Sequence, residues 1–140
     1  PVPLMDVTKI PFNEFIGLAA SDKPGYLLML AGEPEYLNHV GTVHASAMFA
    51  LAEATSGSFL SFEFRDLDGI MAVVRKVETR YRKPASGSIY SKAALSGLKD
   101  ETMTEFKDKG RSIINVAVTL YDDNDNKIME SVFEWYVTKR

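Results

Sequence analysis

The chain contains no cysteine. That absence excludes disulfides, thiolate metal sites and a cysteine nucleophile, and it fits a reducing cytoplasm as the expected compartment. Long apolar runs are missing too. No stretch approaches the ~20 residues that a membrane-spanning helix requires, so no membrane partner is expected. The opening residues Pro1-Val2-Pro3-Leu4-Met5-Asp6 lack a basic segment followed by an apolar block, so no signal peptide is expected. Surplus positive charge is also absent, the formal net charge being -3, which argues against a nucleic-acid partner with a basic footprint.

Familiar catalytic signatures are equally scarce. His39 and His44 lack the i, i+4 ligand spacing and have no cysteine to join them, so no metal site is expected. There is no G-x-S-x-G elbow and no glycine-rich phosphate loop, and nothing calls for a cofactor. Repeats, low-complexity tracts and linkers are missing as well. Residues 1–140 therefore read as one domain, long enough to bury a core. A content of 46% hydrophobic and 25% charged residues is that of an ordinary soluble globular protein.

What is present reads as α+β. Pro11 suits the first position of a short helix, where its missing N–H costs nothing. Phe12, Phe15 and Ile16 would then share one covering face. Tyr26 to Ala31 predicts a strand, and Thr42 to Phe62 a helix of roughly 30 Å that is apolar on nearly all sides and so buried. Strands are predicted over 70–83, 89–98, 112–121 and 128–138, the last two flanking the turn formers Asp122 to Lys127. Consecutive strands with short connections pair antiparallel, giving a sheet wrapped around one helix. The polar segment 99–109, with Met103 and Phe106 three apart, reads either as an extended hairpin tip or as a helical turn.

One carboxylate is out of place. Glu53 has Phe49, Ala50, Ser56, Gly57 and Leu60 as helical neighbours, so its face is not a solvated one. Desolvation there raises a carboxylate's basicity and suits a general base or nucleophile; the competing reading is a glutamate reaching to water or to an arginine. His44 lies nine residues earlier. That is about two and a half turns, so the two side chains point to opposite sides of the helix, roughly 13 Å apart along it. If both serve one site, a second copy must supply one half, as a two-fold dimer with paired helices would.

The helix start offers an electrophile. Free N–H groups near Ala45 and Ser46, at the positive end of the helix dipole, can polarise a carbonyl, and Asn38 in the preceding loop can orient water or substrate. His44 by itself reads equally as a capping residue. Arg82 and Lys83, beside Pro84, are either the solvated end of a strand or a hold on the phosphates of a nucleotide-bearing carrier.

The spacing Asn38, His44, Glu53 resembles that of the hotdog-fold acyl-CoA thioesterases, above all the phenylacetic-acid-degradation type. Their pattern is an asparagine, a His-Gly-Gly six residues later at the helix start, and an Asp or Glu nine residues after the histidine. Tyr81-Arg82-Lys83-Pro84-Ala85-Ser86-Gly87 is similar to the family's strand end. The resemblance spans residues 26 to 138. It implies Glu53 as base or nucleophile, the Ala45 N–H as carbonyl polariser, Asn38 as water positioner and His44 as a holder of the helix start. Ser46, Val74, Arg82 and Lys83 would contact the substrate. It further implies a homodimer, which many members pair into tetramers, and an acyl-CoA or acyl-carrier thioester as substrate. His-Ala-Ser stands where the family has His-Gly-Gly, and Val74 where a Ser or Thr is sometimes found. A non-catalytic acyl-CoA-binding hotdog protein is the alternative; a dehydratase would need an Asp and His over one pocket.

Overall fold

The computed structural model describes residues 5–140; the reading of residues 1–4 lies outside them. Its axis is helix α2, Ala45–Glu63, 19 residues and about 28 Å long. Alanine and leucine favour it and no proline interrupts it. Met48, Leu51, Ala52, Ala54, Thr55, Ser56 and Leu60 are buried. The expected burial on all sides is incomplete, because Phe49 and Phe62 keep 37% and 48% of their surface.

Six strands form one sheet: β1 (Ala19–Ala20), β2 (Leu28–Leu30), β3 (Ile70–Tyr81), β4 (Ile89–Leu95), β5 (Arg111–Tyr121) and β6 (Lys127–Lys139). Their order is β1-β2-β4-β5-β6-β3, with every neighbouring pair antiparallel. The expected α+β sheet around a long helix is therefore present. The strand neighbours are not all those expected, since consecutive β3 and β4 do not pair. Twelve-residue β3 finds a full-length partner in thirteen-residue β6, whereas seven-residue β4 would leave much of its backbone unpaired.

Burial alternates along β3 with one interruption. Ile70, Ala72 and Val74 turn inward, a bulge follows between Val74 and Lys76, and Val77 and Thr79 then turn inward. The extra residue, Arg75, keeps Lys76, Glu78 and Arg80 on the outer face. Its guanidinium meets Glu134 at 2.7 Å.

The amino-terminal helix α1, Pro11–Phe15, begins on its proline as expected. Its orientation is not the expected one. Phe12 and Phe15 are 61% and 87% exposed, and the buried residue is Asn13. Two hydrogen bonds override the apolar pattern in so short a helix: Asn13 Nδ2 donates to Val7 O at 3.0 Å, and the Tyr36 hydroxyl donates to Ile16 O.

The ambiguous segment is a helix, α3, Lys99–Lys109, with Asp100 and Glu101 in its first turn and Lys107 and Lys109 in its last. Those charges oppose the helix dipole, and Gly110 at φ 71° closes it in the left-handed conformation. Phe106 is buried and Met103 packs on the core. The strand expected over 26–31 shrinks to three residues, because Tyr26 instead packs its ring on Tyr90 and Tyr121, 5.5 and 5.4 Å away. The expected hairpin turn holds: Asp122 Oδ1 accepts from the N–H groups of Asn124 and Asn126. Among the described residues no helix is long and apolar enough to cross a membrane.

Candidate active site on the central helix

The start of α2 is organised by His44. Its Nδ1 accepts from Ser46 N–H at 2.9 Å, and its carbonyl accepts from the N–H groups of Ala47 and Met48. This leaves Ala45 N–H, which has no acceptor among the described residues. An unpartnered amide at a helix start is suited to a developing negative charge on oxygen. The strand end is drawn to the same place: Val43 N–H donates to Ala85 O at 2.9 Å, and the Tyr81 hydroxyl donates to Ala45 O at 3.3 Å.

Asn38 sits in the loop leading to the helix and is largely engaged by that loop. Its Oδ1 accepts from the N–H groups of Val40 and Thr42, both at 3.0 Å, and its Nδ2 donates to Thr42 Oγ1 at 2.9 Å. One amide hydrogen remains for another partner.

Glu53 is half-buried, and no side chain or backbone group among the described residues pairs with its carboxylate. Burial pushes its pKa above the ordinary glutamate value. It lines a cavity of about 300 Å³ together with Val7, Asn13, Leu60, Ile70 and Trp135. Gly57, one turn further along, also lines it. A Cβ on Gly57 would lie 3.5 Å from Trp135 Cη2 and Cζ2, an ordinary contact, so the approach of helix and sheet does not depend on this glycine. A larger recess of about 460 Å³ between Phe62 and Lys92 carries Glu63. That carboxylate lies 3.7 Å from Lys99 Nζ and is a partnered one.

Within one chain these parts form two groups. Asn38, His44, Ala45 and Ser46 gather at the helix start beside the Tyr81–Ala85 strand end, while Glu53 stands half a turn round and roughly 13 Å along the axis. Val74 lies on β3 opposite Trp135 and packs against the core. Arg82 is already matched by Glu130, through Nε at 2.9 Å and Nη2 at 2.6 Å. Lys83 has no ion pair among the described residues. No metal-binding group of His, Cys, Asp and Glu occurs among them either. Sequence reasoning missed two residues of these groups, Asn13 and Tyr81. Asn13 was masked by its aromatic neighbours; the position of Tyr81 within the strand-end motif was the available signal for the other.

The family model that matches residues 23–137 is DUF4442, a domain of unknown function. No curated protein matches the chain. Among solved structures, a protein of unknown function from Pseudomonas aeruginosa, named a probable thioesterase, is 26% identical with a TM-score of 0.79, over 100% of this chain and 98% of that one. A Haemophilus influenzae thioesterase is 16% identical with a TM-score of 0.73, over 99% and 92%. A Bacillus halodurans protein solved with CoA is 20% identical with a TM-score of 0.63, over 79% and 69%. The sheet wrapped around a long helix is common to these folds, and the chain belongs to the DUF4442 family, within the hotdog-fold thioesterase superfamily.

Proposed function

We propose that the protein is an acyl-CoA thioesterase acting in the cytoplasm as a homodimer, with Glu53 of one copy completing a site at the helix start of the other. The observation that carries this reading is Glu53 itself: an unpaired, half-buried carboxylate of raised pKa opening on a largely apolar cavity. A carboxylate so placed is costly unless it works. The free Ala45 N–H on the opposite side of the same helix supports the second half. The dimer is supported by β3, the last strand of the sheet, whose outer edge has no partner among the described residues. Met71 and Val73 on it are 50% and 49% exposed. A long uncovered edge is what a second copy would pair with. Pairing of two dimers into a tetramer is the further assembly. Within the superfamily, the spacing of Asn38, His44 and Glu53 supports the phenylacetic-acid-degradation type.

In this reading the Ala45 N–H polarises the thioester carbonyl, and the spare Asn38 amide hydrogen orients water. Glu53 takes the water proton as oxygen attacks carbon. The resulting oxyanion is held by Ala45 N–H, and its collapse breaks the C–S bond as Glu53 returns the proton to sulfur, releasing the free acid and the thiol of CoA or of a carrier. Lys83, with Ser46 and Val74, would face the substrate, and Arg82 would reach a phosphate by exchanging Glu130 for it.

An acyl-CoA panel with thiol detection tests the proposal. Hydrolysis by wild type that is lost in Glu53→Ala supports it. Equal, negligible hydrolysis by both, with acyl-CoA still bound, gives the protein the role of an acyl-CoA-binding module. A monomer in light scattering sinks the shared site.

A further inference from the structure

The cavity beside Glu53 has a roof for which the hydrolytic scheme has no use. Val7 and Asn13 are 3% and 4% exposed, and with Ile10 they line the chamber opposite the α2 residues Glu53, Gly57 and Leu60. The rest of the lining mixes apolar side chains, among them Leu60, Phe64, Ile70 and Trp135, with the polar Ser61, Arg65 and Arg140. Into this lining Asn13 introduces a carboxamide.

The orientation of that carboxamide follows from its one bond. Nδ2 donates to Val7 O at 3.0 Å; a carbonyl oxygen only accepts, so the nitrogen is held on the Val7 side and Oδ1 on the other. Oδ1 receives no donor among the described residues. Among them, the one side-chain polar atom that is both sealed and unpartnered is Ser112 Oγ. Asn13 Oδ1 is thus not sealed. Asn13 as a residue is 4% exposed and lines the chamber, so the geometry points to the chamber as the surface that Oδ1 meets.

An acceptor held open in a largely apolar chamber favours an occupant that brings a donor. The chamber's size limits that occupant. About 300 Å³ is many times what seats a single water, so the space suits a chain of several carbons. Resting on the thioesterase reading above, we propose that the acyl group selected here is a medium-length chain bearing a hydroxyl, whose O–H donates to Asn13 Oδ1. The amide N–H groups of a pantetheine arm offer the same donor chemistry, and ligands without that arm separate the two sources.

Trp135, the only tryptophan of the chain, lines the chamber, so its emission reports occupancy without turnover. The probes are methyl decanoate, methyl 3-hydroxydecanoate and methyl 10-hydroxydecanoate, uncharged so that Glu53 does not repel them. The expected result is that one hydroxy ester binds wild type roughly three- to tenfold more tightly than methyl decanoate. In Asn13→Leu that advantage falls to within about twofold, the residual difference of a site without the bond. Equal affinity of wild type for all three esters overturns the proposal, and so does an advantage that survives in Asn13→Leu. If Asn13→Leu does not fold, the wild-type comparison decides alone. Acyl-CoA hydrolysis with no hydroxyl preference refutes the chain assignment and leaves the hydrolase. A hydroxyl preference in the esters with no acyl-CoA cleaved does the reverse.

Discussion

His44 Nδ1 accepts the Ser46 N–H at 2.9 Å, so the histidine caps the helix with its ring and leaves the Ala45 amide free. The imidazole does here what Ser, Asp or Asn usually does. His44→Ala should lower stability by about 1 kcal/mol through the lost cap, while His44→Asn should restore most of it. Thermal denaturation of the three proteins measures both.

Glu53 supplies a pH dependence with a definite sign. Its folded pKa lies above the ordinary value of 4.5 because of burial. The folded state therefore holds the proton more tightly than the unfolded chain. Stability from this group is full below about 4.5 and declines as pH rises through the folded value. Glu53→Gln should flatten this decline and be more stable than wild type at neutral pH, as denaturant titrations across pH would record. In wild type, kcat/KM should rise with pH on an acid limb centred above 4.5; a limb at or below that value would remove Glu53 as the base.

The proposed sharing of the site between copies has a numerical signature. Glu53→Gln and Asn38→Ala should each be inactive alone. Co-refolded in equal amounts, half of the dimers carry one of each chain, and in each of these one of the two sites is intact. Activity should therefore return to about a quarter of wild type. No recovery, with heterodimers verified by mass spectrometry, means that Glu53 and Asn38 act within one chain or in different sites.

Two glycines should respond in opposite directions. A Cβ on Gly32 would lie 2.7 Å from Gly87 C and Cα, which are backbone and cannot step aside. Gly32→Ala should cost about 1–3 kcal/mol.

Gly57 lies inside a helix, where its added Cβ meets Trp135 at an ordinary 3.5 Å. Gly57→Ala should gain about 0.5–1 kcal/mol from helix propensity. Chemical denaturation of each variant is sufficient to check the signs.

How far the sequence could be read depended on how local the cause was. Pro11, the apolar stretch of α2 and the turn at Asp122–Asn126 act through their immediate neighbours, and each lies where expected. The spacing of Asn38, His44 and Glu53 pointed to the superfamily for the same reason. Helix α3 was within reach as well, since Gly110 after two lysines and two early acids is a helix's end-to-end signature. The pairing of β3 with β6 was not, because strand length over a whole sheet decided it. Nor was the inward turn of Asn13, where a bond to Val7 O outweighed two phenylalanines. Arg75 gave no sign either, as a bulge is invisible in an alternation that looks unbroken on either side.

That bulge has a consequence for how the edge can be used. With Arg75 fixed between Val74 and Lys76, β3 cannot slide two residues along β6 without dragging the extra residue past a new neighbour. The register is pinned, and the free hydrogen-bonding groups of the outer edge keep a single phase. A strand arriving from outside meets one alignment rather than a ladder of near-equivalent ones. Such an edge is selective by geometry: the dimer proposed above would need a copy matched to that one alignment, and indiscriminate stacking is discouraged.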